Sequence, residues 1–145
     1  MKIPKSKLSK NSLKERAIVV TGAGSGIGRA LSFELAKNNA DLILLSRDQI
    51  KLDSLQDEIK EKFGIEPLTV EFDFFKAKEK DYNFLIENLI DNYTKIDGLV
   101  HVAGILGYLS PFTSTSPSQL ETVMKINFES TVSYTHLRAH ETTCD

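Results

Sequence analysis

Three places in this sequence hold residue types whose spacing could do chemistry. The first is Thr21-Gly22-Ala23-Gly24-Ser25-Gly26-Ile27-Gly28. Glycines at this density reach backbone angles closed to other residues and let the main chain approach a ligand. Where such a string joins a strand to a helix, the helix amino terminus adds free N–H groups and partial positive charge. That combination suits a pyrophosphate; an ordinary flexible turn is the competing reading. The second place is Tyr134, with Arg138 four residues later. A helix puts the two on one face, and a guanidinium beside a phenol favours the phenolate, as a proton-transferring tyrosine requires. Such i, i+4 coincidences are also common without function. The third is Asn127, which follows Leu120, Val123 and Met124 at i, i+3, i+4 and i+7. An amide on an apolar stripe must have its hydrogen bonds satisfied, either by backbone in a structural role or by a functional partner. His101 reads as a strand residue, since nothing clusters with it at metal-ligand spacing.

The elements that would position these residues alternate regularly. Ala17 to Val20 is a short β-branched apolar run ending at the glycines, as in a strand buried on both faces. Ile27 to Lys37 carries a helical stripe, stopped by Asn38-Asn39. Asp41 to Ser46 is a second buried strand, and Arg47 to Gly64 a charged amphipathic helix ended by its glycine. Leu68 to Phe72 forms a third strand before Asp73, and Lys78 to Tyr93 a third helix. Ile96 to Gly104 reads as a fourth strand. A Ser/Thr/Pro-rich loop then leads to Ser116-Pro-Ser-Gln119, a capping box with proline at the first helical position. Strands alternating with helices predict an α/β fold: a doubly wound parallel sheet of the Rossmann type, truncated after the fourth strand and its following helix.

The whole-chain totals narrow the function classes. A length of 145 residues, 41% hydrophobic and 26% charged, fits one soluble domain with a single core. A net charge of -2 gives no reason to expect nucleic acid or an anionic membrane as partner. No apolar run approaches a membrane span. Residues 1–15 form a basic lead-in without the apolar stretch of a secretory signal. A surface-lying segment and a mitochondrial-type leader both remain open for it. The single cysteine, Cys144, allows no internal disulfide, so a reducing, cytoplasmic setting is expected.

Gly22, Gly26 and Gly28 match the T-G-x-x-x-G-x-G form of the short-chain dehydrogenase/reductases, and the chain from about Ser12 to Thr131 resembles that family. Asp73 stands where the family has an aspartate at the adenine, Ala103-Gly104 where it has the end of N-A-G, and Asn127 where it has an asparagine in the next helix. The resemblance implies a dinucleotide site. It is formed by Gly22, Ser25, Gly26, Ile27 and Gly28 on the loop, Ser46 and Arg47, Asp73 and Phe74, and Ala103 and Gly104. It also implies a supporting catalytic role for Asn127, holding a water that links the catalytic lysine to solvent. Members that prefer NAD usually carry an acidic residue after the second strand. Ser46-Arg47 suits the 2′-phosphate of NADP instead, which makes NADP the expected cofactor over NAD. Arg47 as a solvated residue at a helix start stays open. One departure is that His101 and Val102 stand where the family has the two asparagines of N-N-A-G, and the second of those normally bonds neighbouring backbone.

The resemblance further implies hydride transfer between a nicotinamide and a carbonyl or alcohol carbon. A serine orients the carbonyl and a Tyr-x-x-x-Lys pair supplies the proton. None of the four tyrosines here has lysine four residues on. Tyr134 also lies directly after Asn127, before any fifth strand, and arginine does not replace a titratable amine. The chain is therefore expected to be the dinucleotide-binding front part, residues 16–131, of a homo-oligomeric NADP(H)-dependent oxidoreductase, and inactive by itself. A non-catalytic dinucleotide-binding or sensing module is the alternative. Val132 to Thr142 resembles a frame translation of a widely used transposase sequencing adapter, so residues 132–145 are expected to be a non-native tail.

Overall fold

The computed structural model describes residues 11–135. Its elements are β1 (Ala17–Thr21), α1 (Gly26–Lys37), β2 (Asp41–Ser46), α2 (Gln49–Phe63), β3 (Leu68–Glu71), α3 (Glu79–Asn92) and β4 (Gly98–His101). A short 3₁₀ turn precedes α4 (Pro117–Met124), a π-type turn (Lys125–Glu129) and α5 (Ser130–Thr135). All strand pairings are parallel, in the order β3-β2-β1-β4. Val20 sits opposite Leu44 on one side and Val100 on the other.

The continuous apolar runs are explained by helices on both faces, because successive strand residues point to opposite sides. Val19, Ile43 and Leu45 pack with Tyr82, Leu85, Leu89 and Tyr134 in one core. Ile18, Val20, Leu42 and Leu44 pack with Ala36, Leu52, Leu55 and Ile59 in the other.

The helix ends follow local chemistry. Asp48 caps α2, its carboxylate accepting from the Lys51 amide at 3.2 Å, so the helix begins after Arg47 and not at it. Gly64 closes the helix at φ 69°. Ser116 and Gln119 form the expected reciprocal cap of α4. The fourth strand is shorter than its apolar run. Before it, Asp97 turns to Arg16, Lys95 and the Ala17 amide. After it, the Val102 and Ala103 amides leave the ladder for the Thr21 hydroxyl.

Candidate dinucleotide site

The carboxyl ends of β1, β2, β3 and β4 meet the amino terminus of α1 around one cavity of about 350 Å³. In an open parallel α/β sheet this is the side where ligands bind. Ten of the twelve predicted site residues line it: Gly22, Ser25, Gly26, Ile27, Ser46, Arg47, Asp73, Phe74, Ala103 and Gly104. Gly28 and Asn127 do not.

The glycines have separate jobs. Gly22 sits at φ +68°, and a Cβ there would fall 2.8 Å from the Ala103 nitrogen, so the loop after β1 touches the turn after β4. Gly28 lies beneath the loop: a Cβ on it would stand 2.3 Å from the Gly22 carbonyl oxygen. It lets helix and strand close on each other. Gly26 has φ +52° and open space around it, at the first residue of α1. Ser25 precedes it in extended conformation, and its side chain makes no capping bond. The first amides of a helix have no intrahelical acceptor, and here that end opens onto the cavity.

At the end of β2 the Ser46 hydroxyl accepts from the Asp48 amide at 3.3 Å. Arg47 is exposed and makes no hydrogen bond or ion pair among the described residues. Asp73 organises its own turn, accepting from the Phe75 amide at 3.0 Å, with the Lys76 ammonium at 3.6 Å. Phe74 faces two ways. It lines the cavity, and its ring packs on Tyr134 with centroids 5.2 Å apart.

On the β4 side the Thr21 hydroxyl accepts from the Val102 and Ala103 amides, each at 3.2 Å. Its remaining partner is the Tyr134 phenol at 3.0 Å. Tyr134 is buried, 1% exposed, and burial pushes its phenol above the usual tyrosine range, against the opposing pull of the Thr21 and Thr131 hydroxyls. A tyrosine so placed is a core residue with a neutral hydroxyl, not a poised phenolate. Arg138 lies outside the described residues. His101 ends β4, its ring 4.4 Å from that of Tyr134, and burial lowers its pKa. Helix α5 continues through Thr135, so no element boundary falls at Thr131.

Asn127 differs from the expectation of a buried amide on an apolar stripe. Its residue is exposed, as are Leu120 and Met124. The buried line is instead Ile126, Ser130 and Tyr134. A π-type turn falls within this stretch, in which the Ser130 amide donates to the Lys125 carbonyl five residues back. Asn127 reaches the loop after β4: its Oδ1 accepts from the Ile105 amide and its Nδ2 donates to the Ile105 carbonyl, both at 2.8 Å.

Sequence reasoning missed five lining residues: Phe72, Phe75, Val102, Ile105 and Ile126. All are apolar, and apolar residues flanking a motif read as core. The available signal was their adjacency to Asp73, Ala103-Gly104 and Asn127.

A family model described as short chain dehydrogenase matches residues 16–142. The chain is 34% identical over 119 residues to the uncharacterized oxidoreductase YciK of Escherichia coli K12, covering 82% of this chain and 47% of that protein. It is 43% identical over 103 residues to the very-long-chain 3-oxooacyl-coA reductase let-767 of Caenorhabditis elegans, covering 68% and 32%. Among solved structures, a short chain dehydrogenase from Escherichia coli CFT073 complexed with NADPH superposes with TM-score 0.88 at 32% identity, over 91% of this chain and 55% of that one. A counterpart from Shigella flexneri 2a complexed with NADP gives TM-score 0.86 at 32% identity, over 89% and 54%. The chain thus spans less than half the length of these curated relatives.

Proposed function

The chain belongs to the short-chain dehydrogenase family, and from that premise we propose that the whole protein is an NADP(H)-dependent oxidoreductase in which these residues hold the dinucleotide. Nicotinamide cofactors are the family's common ground; the choice of NADP is our own reading. It rests on one observation: Arg47, which has no ion pair among the described residues, lines the cavity together with Ser46. A guanidinium pairs with a ribose 2′-phosphate in a way an acidic residue at the same point could not. The NADP and NADPH complexes of two structural neighbours support it.

The residues fit such a guest. Gly22 and Gly26 provide a backbone cradle without side chains, and the α1 amino terminus supplies amides and partial charge for the pyrophosphate. Asp73 and Phe74 flank the place proposed for the adenine, and Ala103 and Gly104 that proposed for the nicotinamide ribose. When bound, the nicotinamide gives or takes the hydride. The likeness to a 3-oxoacyl-CoA reductase supports a carbonyl carbon as its partner. A Tyr-x-x-x-Lys pair does not occur in these 145 residues, so turnover is proposed for the whole protein and not for this chain.

The test is to titrate the chain with NADPH and NADH by nucleotide fluorescence, before and after Arg47→Asp. Tighter NADPH binding that the substitution abolishes is expected; an unchanged preference overturns the cofactor reading. We propose separately that residues 132–145 are a non-native tail. Genomic codons for each of them would refute that.

A further inference from the structure

Strand β3 stands at the outer end of the sheet: among the described residues it pairs with β2 alone. The Phe72 amide donates to the Ser46 carbonyl at 2.8 Å, which fixes the way each strand residue faces. In a parallel ladder, alternate residues turn their N–H and C=O groups to opposite sides. Leu68, Val70 and Phe72 therefore bond toward β2, and the main-chain groups of Thr69 and Glu71 point off the sheet. Beside that edge, helix α3 leaves a groove of about 560 Å³ between itself and β3. Its walls are mostly apolar, with Leu68 and Val70 on the strand and Phe84 and Leu85 on the helix. Phe84 is 68% exposed and Leu68 37%, so apolar surface stays uncovered on both walls.

The rim of the groove is acidic. Glu71, Asp73 and Asp81 line it against one cation, Lys76, whose ammonium lies 3.6 Å from the Asp73 carboxylate. The Asp81 carboxylate accepts from the Lys78 amide at the start of α3. Glu71 is exposed, and its carboxylate has no hydrogen bond or ion pair among the described residues.

We propose that this groove docks an extended peptide of a partner protein, which adds as a further strand beside β3 and carries a lysine or arginine between two apolar residues. The Thr69 and Glu71 main-chain groups supply the ladder, and the added strand alternates its side chains between the two faces. Those on the α3 side meet Phe84, Leu68 and Val70. The residue between them falls on the Glu71 side, where a cation is the fitting cross-strand neighbour. A small apolar ligand would leave the outward main-chain groups of β3 without partners. A second copy of this chain fits less well, because its own edge reads Val70-Glu71-Phe72 and would set carboxylate against carboxylate. Nothing in the site depends on a bound dinucleotide.

The experiment titrates the 145-residue chain with two fluorescein-labelled peptides, one alternating valine with lysine and the other valine with glutamate. Fluorescence anisotropy should show the lysine peptide binding at least about tenfold more tightly. Hydrogen exchange read by NMR should slow about tenfold or more at the Thr69 and Glu71 amides when it is added. The Phe72 amide, already bonded to β2, should keep its rate. Glu71→Lys should abolish the preference for the lysine peptide, and Phe84→Ser should weaken both peptides about tenfold. Both side chains are exposed, so thermal unfolding should show the fold kept in each variant. Equal affinity for the two peptides, no binding of either, or an unchanged preference in Glu71→Lys overturns the proposal. Binding without protection of Thr69 and Glu71 would mean an apolar pocket and no added strand, and overturns it as well. If those amides are protected in the chain alone, increasingly with its concentration, the occupant is a second copy and the proposal falls.

Discussion

The Thr21 hydroxyl lies 3.0 Å from the Tyr134 phenol, joining residues 113 positions apart in a buried contact. Thr21 is the last residue of β1, and the same oxygen receives the Val102 and Ala103 amides. One hydroxyl therefore ties together a strand end, the turn after β4 and helix α5. The sequence has valine where the family resemblance has an asparagine that bonds neighbouring backbone. In this chain the backbone at that turn is bonded by Thr21 instead.

Thr21→Val should cost more than Tyr134→Phe. The first leaves two amides without their acceptor, at about 2–3 kcal/mol, whereas the second keeps the ring against Phe74 and His101 and forfeits one hydrogen bond, at about 1 kcal/mol. Urea unfolding of both variants and their combination would measure this. The combination should cost less than the sum, because both changes break one shared bond.

The glycines of the loop should respond to alanine to different degrees. Gly26→Ala meets no atom within 4 Å and pays only for its φ of +52°, about 1 kcal/mol. Gly28→Ala drives a methyl group to within 2.3 Å of the Gly22 carbonyl oxygen, and backbone cannot rotate away. A loss of about 3 kcal/mol is expected, together with loss of dinucleotide binding. Thermal unfolding and NADPH titration of the two variants would decide; comparable behaviour would mean the helix shifts freely along β1.

The sheet and the glycine loop were legible in the sequence because they rest on local rules. Runs such as Leu42 to Leu45 are apolar throughout only when both faces are covered, and Gly22 and Gly26 stand where the backbone takes a positive φ. The element ends at β4 were not legible. Val102 continues an apolar, β-branched run, and what pulls its amide out of the ladder is a threonine 81 residues earlier. The face of the last helix was misplaced for a similar reason. A stripe counted at 3.6 residues per turn assumes an unbroken helix packed on its apolar side, whereas Leu120, Met124 and Asn127 are exposed, a wide turn falls at Lys125–Glu129, and the buried residues are Ile126, Ser130 and Tyr134.

Asp97 gives a pH signature. Hydrogen bonds from Arg16 and Lys95 and from the Ala17 amide hold its carboxyl down at about 2. The unfolded group titrates near 4, about the ordinary aspartate value, so the folded state favours the ionised form. Its contribution is complete above about pH 4 and is lost as pH falls through the folded value near 2. Asp97→Asn should therefore lower stability at neutral pH, and the gap to the unsubstituted chain should close between about pH 4 and pH 2. Urea midpoints of both proteins at several pH values would measure it. A gap that persists unchanged at pH 2 would show that packing, not charge, is what the substitution removes.

Asn127 holds the loop after β4 through both ends of one amide, and its exposure limits what that is worth to global stability. Water can replace each bond, so Asn127→Ala should cost only about 1 kcal/mol in unfolding. The local effect is larger, because no other hydrogen bond to the Ile105 amide or carbonyl is found among the described residues. Hydrogen exchange at the Ile105 amide should accelerate at least about tenfold, while the amides of β1 and β2 keep their protection. Asn127→Asp separates the two bonds. It retains an acceptor for the Ile105 amide but sets a carboxylate against the Ile105 carbonyl, so exchange should fall between that of the asparagine and the alanine. Gly104, whose added Cβ would approach Asn127 Oδ1 to 3.3 Å, lies on the same loop and lines the cavity. Loosening Ile105 should thus weaken dinucleotide binding more than it weakens the fold. Unchanged NADPH affinity in Asn127→Ala would place the loop's anchoring elsewhere.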